Sequence, residues 1–281
     1  MHSFCNIFTV DGAVEQWLVR RALNPQTGVR SPAALPKEMR FRAWGVTDKG
    51  YYRSNNEDAY FLSHAEGDLN SFPFFIVADG LGGHAWGEVA SRLAVEKAAS
   101  VLSEQKPPTP EALRKSFEEA HLDILRAKKE NPEFGEMGTT MTALSFAGDL
   151  AFVGNCGDSR AYLFREGELR QITRDHSYVQ ELVDSGLITK KEARYHPYRN
   201  VVTGVLGLEG SFRTDIFSLE VKEADVFLLA TDGLTEELSD ELIQKVVSSN
   251  PPETLLYELL SQALDHGGQD NITLIVVHLL T

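Results

Sequence analysis

Residues 74–80, FFIVADG, and residues 226–233, VFLLATDG, share one pattern: a short uninterrupted apolar run that stops on an Asp–Gly pair. Each run is strand-like, and the pair that ends it sets a carboxylate at the mouth of a buried element. Two further runs repeat the arrangement, with AFVGNCGD placing Asp158 after a strand and DNITLIVV placing Asp270 just before one. One Asp–Gly pair alone marks only a turn. Several carboxylates converging at strand ends, however, repel one another and are costly to desolvate unless cations lie between them. No Cys or His cluster of suitable spacing accompanies them. An all-oxygen set suits Mg²⁺ or Mn²⁺ better than zinc or copper, and aspartates shared by two such ions give the arrangement used for phosphoryl chemistry.

Working outward, strand signals at FRAWGV (41–46), AYFLS (59–63) and FPFFIVA (72–78) open the domain. Two helices are expected next, over 88–104 with Val89, Leu93, Lys97 and Val101 at four-residue spacing, and over 110–129 with Leu113, Phe117, Ala120 and Ile124. Thr109 reads as the N-cap of the second, with Pro110 at its first position. Strands return as TTMTALSF, LAFVG, SRAYLFR and LRQIT, followed by a short helix in DHSYVQELVDSG and a polar excursion, TKKEARYHPYRN. FRTDIFSLEV and DVFLLAT are strands, Ser239 caps ELIQKVV, a helix over 253–265 stops at Gly267 and Gly268, and NITLIVVHLL is the last strand. Strands and helix pairs in blocks, without βαβ alternation, predict an α+β fold of antiparallel sheets with helices outside them. Residues 1–40, punctuated by Pro and Gly, read as an arm without an assigned role, and 41–281 as one domain without repeats or linkers.

The 281 residues carry 41 acidic and 27 basic side chains, a formal charge of −14. That balance argues against nucleic acid and anionic lipid as partners. At 42% apolar and 24% charged, the chain is neither disordered nor collagen-like. Cys5 and Cys156 are too few for a disulfide framework or a Cys-based zinc site, and no run of 18 apolar residues or secretory leader is apparent. A cytoplasmic monomer without a membrane span is the expectation.

In order along the chain stand RSNNEDAY (53–60), VADGLGGHAWGEVAS (77–91), MGTTMTAL (137–144), GNCGDSRAYL (154–163), TRDHS (173–177), HPYRNVVTGVLG (196–207), LLATDGLTEELSD (228–240) and GGQDNITLIVV (267–277). Their series resembles the motifs of the PP2C-type (PPM) metal-dependent Ser/Thr protein phosphatases, the bacterial branch above all, across about residues 41–281. The resemblance implies an αββα four-layer sandwich of two antiparallel β-sheets flanked by helix pairs, holding two Mn²⁺ or Mg²⁺ ions in a cleft and a third, weaker one beside them. By motif, Asp79 would bridge both ions and the Gly80 carbonyl would bind one. Asp232 and Asp270 would complete one shell, Glu57 and Asp58 would serve the second ion directly or through water, and Asp158 with Asp232 would hold the third. Arg53 would fork two N–H donors onto the substrate phosphate. A water acidified by two cations would attack phosphorus in line, with His84 the candidate acid for the leaving alkoxide and a surface role its blander reading.

The implied activity is hydrolysis of phosphoserine and phosphothreonine in proteins, opposing Ser/Thr kinases. The alternative is a catalytically silent phosphoprotein-binding module of the same fold, from which loss of metal aspartates would be the distinguishing mark; Asp79, Asp232 and Asp270 are all present. Gly138, Thr139 and Thr140 read as a turn into a strand, and Cys156 as a packing thiol. Residues 178–204 correspond to the flap of bacterial members, whose Lys190, Arg194, His196 and Arg199 could meet acidic phosphopeptides.

Overall fold

The side chains of Phe74–Ala78 are all buried, and they divide by alternation: Phe74, Ile76 and Ala78 pack under helices, while Phe75 and Val77 face a second sheet. An uninterrupted apolar run is what a strand covered on both faces requires. In the computed structural model, which describes residues 39–82 and 86–280, this strand is the fourth. The chain runs β1 (Arg40–Asp48), β2 (Ala59–Leu62), β3 (Glu66–Asp68), β4 (Phe74–Ala78), β5 (Gly80–Leu81), α1 (Gly87–Glu104), α2 (Pro110–Glu130), β6 (Gly138–Thr139), β7 (Met141–Ala147), β8 (Leu150–Cys156), β9 (Arg160–Arg165), β10 (Glu168–Gln171), α3 (Tyr178–Asp184) and α4 (Lys190–Ala193). It continues through β11 (Asp215–Glu220), β12 (Val226–Ala230), α5 (Asp232–Thr235), α6 (Asp240–Ser249), α7 (Leu255–His266) and β13 (Ile272–Leu280).

One sheet has the order β10-β9-β12-β13-β1-β3 and the other β11-β8-β7-β4-β2, and the paired strands are antiparallel. Phe41, Phe75, Leu144, Phe146, Phe227 and Ile275 fill the space between them. Phe146 bridges this layer with edge-on contacts to Phe75 and Phe227, at centroid separations of 6.3 and 5.4 Å. β12 repeats the alternation of β4: Phe227 and Leu229 point between the sheets, and Val226, Leu228 and Ala230 point toward Ile243, Val247, Leu255 and Leu259 of α6 and α7. The result is the expected α+β, four-layer αββα sandwich.

The helix over 110–129 forms as read, with Thr109 accepting from the Ala112 amide at 3.1 Å and Leu113, Phe117, Ala120 and Ile124 buried. The face of α1 differs. Ala90, Ala94, Val95, Ala98 and Ala99 are its buried stripe, whereas Val89 and Leu93 are partly buried at its margin. Small residues let α1 lie close to its neighbours, so the inward face is the one with the least bulk, which a search for large apolar residues misses. Strand β3 and the one-turn helices α4 and α5 are further additions to the sequence reading. The expected arm over 1–40, apart from its last two residues, lies outside the described residues, as does His84.

Candidate metal centre

Asp79 follows the last residue of β4, and its main chain is tied down by the neighbouring strand. Its amide donates to Thr140 Oγ1 at 3.1 Å, and its carbonyl accepts from Thr139 Oγ1 at 2.7 Å and from the Thr140 amide at 2.9 Å. The GTT turn is therefore structural as expected, and its specific work is to hold the peptide groups of Asp79. Gly80 pairs with Thr139 across β5 and β6, and its amide donates to the Glu57 carbonyl at 3.2 Å. A Cβ there would stand 2.3 Å from the Gly87 carbonyl and 2.4 Å from that of Glu57, so only glycine fits.

Asp232 opens α5, just past β12. The preceding residue, Thr231, pairs with β13: its amide donates to the Thr273 carbonyl at 3.0 Å, and its Oγ1 accepts from the Thr273 amide at 2.9 Å. The same hydroxyl donates to Asp58 Oδ2 at 2.8 Å, which brings the loop after β1 to the end of β12. Asn271 completes the assembly. Its side chain donates to the carbonyls of Lys49 and Asn55, both at 2.9 Å, and accepts from the Glu57 amide at 2.8 Å, while its own amide donates to Asp270 Oδ1 at 2.8 Å. One buried amide thus fastens the loop bearing Arg53, Glu57 and Asp58 to the turn that carries Asp270 into β13.

The carboxylates so gathered are electrostatically uncomfortable. Burial, then the charges of Asp232 and Asp58, holds Asp79 well above the usual carboxylate range. Asp232 is raised by burial first, then by Asp158, Glu236 and Asp270. Burial pushes Asp58 up to about 7 despite hydrogen bonds from Thr273 and Thr231. Asp158 also rises to about 7, through burial and the nearby charge of Asp175. Asp58 Oδ1 and Asp232 Oδ1 are buried without a hydrogen-bond partner. Orphaned carboxylate oxygens among mutually repelling acids are what hard cations compensate, so the residues fit an oxygen-ligand metal pair. Among the described residues no three such side chains form a finished ligand cage. Asp270 is instead turned to Arg53, whose Nη2 donates to it at 2.5 Å.

Arg53 is 56% exposed at the side chain, so the guanidinium stands over the centre rather than in it. Glu57 is partly buried, and its Oε2 occupies the space that a Cβ on Gly87 would need, 2.2 Å away. Asp158 lies in the loop after β8 beside Arg160, which is held by Asp175 through three contacts of 2.7 to 3.0 Å. Asp158, Arg160, Asp232 and Glu236 share a cavity of about 560 Å³ with Arg194 and Arg199 of the 178–204 excursion. Arg194 is not free to meet a ligand as the sequence suggested: its guanidinium is taken up by the main-chain carbonyls of Thr235, Glu236 and Leu238. Cys156 is buried, and burial pushes its thiol up to about 12, as suits a packing residue.

The family model for protein phosphatase 2C matches residues 51–266. The chain belongs to the protein phosphatase 2C family. It is 34% identical over 239 residues to the serine/threonine phosphatase stp of Listeria monocytogenes, covering 82% of this chain and 93% of that one. It is 37% identical over 232 residues to the serine/threonine protein phosphatase PstP of Mycobacterium tuberculosis, covering 82% of this chain and 43% of PstP. The crystal structure of the M. tuberculosis phosphatase PstP/Ppp superposes with a TM-score of 0.78 at 36% identity, over 86% of this chain and 100% of that one. A structure of the PstP catalytic domain in complex with two manganese ions gives 0.77 at 33% identity, over 86% and 100%.

Within this PP2C chain, sequence reasoning overlooked Asn271 and Thr231, although each adjoins a candidate aspartate, in the pairs Asp270–Asn271 and Thr231–Asp232. A short polar residue next to a strand-end carboxylate was the available signal. Arg194 carried none, since its partners lie 41 to 44 positions away.

Proposed function

We propose that this PP2C-family chain is a metal-dependent protein Ser/Thr phosphatase whose metal ligands are Asp79, the Gly80 carbonyl, Asp232 and Asp270, with Glu57 and Asp58 serving the second ion and Asp158 a third. The observation that carries the assignment is the pair of orphaned buried oxygens, Asp58 Oδ1 and Asp232 Oδ1, within a group of acids raised by burial and by one another. Mn²⁺ or Mg²⁺ bound there supplies positive charge to the phosphate and a water acidified for attack. The chain's own part is positional. Thr139 and Thr140 fix the Asp79 peptide, Thr231 orients Asp58, and Asn271 locks the Arg53 loop onto Asp270. Arg53, more than half exposed, offers a fork of N–H donors that matches two phosphate oxygens and fixes the phosphoryl group for in-line displacement.

His84 is the proposed proton donor to the leaving Ser or Thr oxygen. Phosphorylated proteins, the products of Ser/Thr kinases, are the proposed substrates. Among the described residues no helix is long and apolar enough to cross a membrane, and we assign the chain to the cytoplasm as a monomer, with residues 41–281 as the catalytic domain.

Hydrolysis of a phosphothreonine peptide by chelator-treated protein, with and without Mn²⁺, tests the activity. Turnover that requires Mn²⁺ is expected, and none in its presence would favour the silent binding module. His84→Gln should slow the peptide more than an activated aryl phosphate, whose leaving group needs no proton; equal losses would remove His84 from the mechanism.

A further inference from the structure

Arg194 stands at the end of α4, a single turn set by a capping box in which Thr189 and Glu192 satisfy each other's amides. Its Nη1 donates to the carbonyls of Thr235 at 3.0 Å and Leu238 at 3.4 Å, and its Nη2 to that of Glu236 at 2.7 Å. These carbonyls close α5 and lead into α6. They belong to the end of a helix, where carbonyls lack intrahelical partners and carry partial negative charge, and a planar guanidinium can span several at once. The first turn of α5 is also fixed. A Cβ on Gly233 would lie 2.0 Å from the Asn271 carbonyl, so the helix is in backbone contact with the strand that follows Asp270. Asp232 therefore opens a helix that meets Asn271 at its start and a side chain from the excursion at its end.

We infer that Arg194 is a positioning residue that couples the 190–199 stretch to Asp232, so that metal binding at the centre and ordering of the stretch reinforce each other. Removing the guanidinium returns three carbonyls to water and frees α5 to move away from Asn271, carrying the Asp232 carboxylate with it. The coupling is reciprocal: whatever fixes Asp232 also resists displacement of the stretch that borders the cavity. The inference rests on the phosphatase reading above, in that it takes Asp232 as a metal ligand.

The test is Mn²⁺ titration by calorimetry together with amide hydrogen exchange, on the full chain and on Arg194→Gln, Arg194→Lys and Arg174→Gln. Arg174 pairs with Asp184 within the excursion's own root, so its loss loosens the segment without touching α5. Mn²⁺ is expected to slow exchange over 190–199 and 233–238 in the unaltered chain. Arg194→Gln should weaken Mn²⁺ binding about tenfold and abolish the response over 190–199. Lys, with a compact ammonium in place of the fork, should fall between, and Arg174→Gln should bind within about twofold of the unaltered chain. Mn²⁺ affinity unchanged in both Arg194 variants, or exchange over 190–199 indifferent to Mn²⁺, would overturn the coupling while leaving the phosphatase assignment standing. Failure of the unaltered chain to bind Mn²⁺ would overturn both.

Discussion

The ends of β4 and β12 begin alike and finish differently. Both are five-residue strands buried at every position, both divide their side chains between a helix layer and the inter-sheet layer, and both stop at an Asp–Gly pair after at most one further residue. After Asp79 the chain pairs sideways with Gly138–Thr139, and the hydroxyls and amide of Thr139 and Thr140 hold the aspartate's main chain from outside. After Thr231 the chain turns into α5, and Asp232 is held by its own helix, whose Glu236 amide donates to the Asp232 carbonyl at 2.7 Å. The same local signal therefore fixes where a carboxylate emerges, while the partners that immobilise it are decided by whatever the fold lays beside it. One end depends on a neighbouring strand, the other on a helix that is itself braced by Asn271 and Arg194.

The largest effects should come from the carboxylates themselves. Removing partners of metal ligands costs about 10–100-fold in affinity or activity, so Asp79→Asn and Asp232→Asn should each lower Mn²⁺-dependent turnover by more than about a hundredfold. Both should also raise the melting temperature of chelator-treated protein, since each removes one member of a crowded set of buried acids; a lowered melting temperature would contradict the electrostatic picture. Next come the glycines. Gly80→Ala and Gly233→Ala each press a methyl group on backbone at 2.3 and 2.0 Å, for about 1–3 kcal/mol lost in denaturant unfolding. Equal losses would show both ends to be close-packed; a neutral Gly233→Ala would mean that α5 gives way and is looser than the end of β4.

The hydroxyls separate the two ends more finely. Thr139→Val takes one of two donors from the Asp79 carbonyl, which keeps the Thr140 amide, for about 0.5–1.5 kcal/mol, whereas Thr231→Val takes a donor from the buried carboxylate of Asp58, for about 1–3 kcal/mol. Thr231→Val should reduce Mn²⁺ affinity through Asp58, whereas Thr139→Val should act on the position of Asp79, and calorimetric titration of both variants distinguishes them. The pH dependence bears on the loop acids at both ends rather than on one of them. The folded pKa values of Asp58 and Asp158, about 7, lie above those of an unfolded chain. Their protonated forms favour the fold below about pH 4, and that contribution is lost as pH rises through about 7. Chelator-treated protein should therefore lose stability between pH 5 and pH 8, and added Mn²⁺ should flatten the slope. Melting curves across that range check it.

Much of this centre could be read from the chain because its carboxylates border strands that are apolar throughout, and burial on both faces leaves such strands little choice of place. The second helix was equally legible, since Thr109, Pro110 and the Leu113–Phe117–Ala120–Ile124 stripe are local signals that agree. The face of α1 was not, because its packing selects small side chains and the larger Val89 and Leu93 fall at the margin. Nor were Asn271 and Arg194, whose roles depend on carbonyls more than 200 and more than 40 positions away respectively. Side-chain bonds to distant backbone leave no periodicity to detect.

The central proposal is that the acids at the two strand ends hold a pair of cations, with Asp79 shared between them. Anomalous scattering from crystals of the full chain grown with Mn²⁺ measures it directly. Two peaks, both within bonding distance of the Asp79 carboxylate and one of them also reached by Asp232 and Asp270, are the expected result. A single peak away from Asp79, or none at the strand ends, would contradict it.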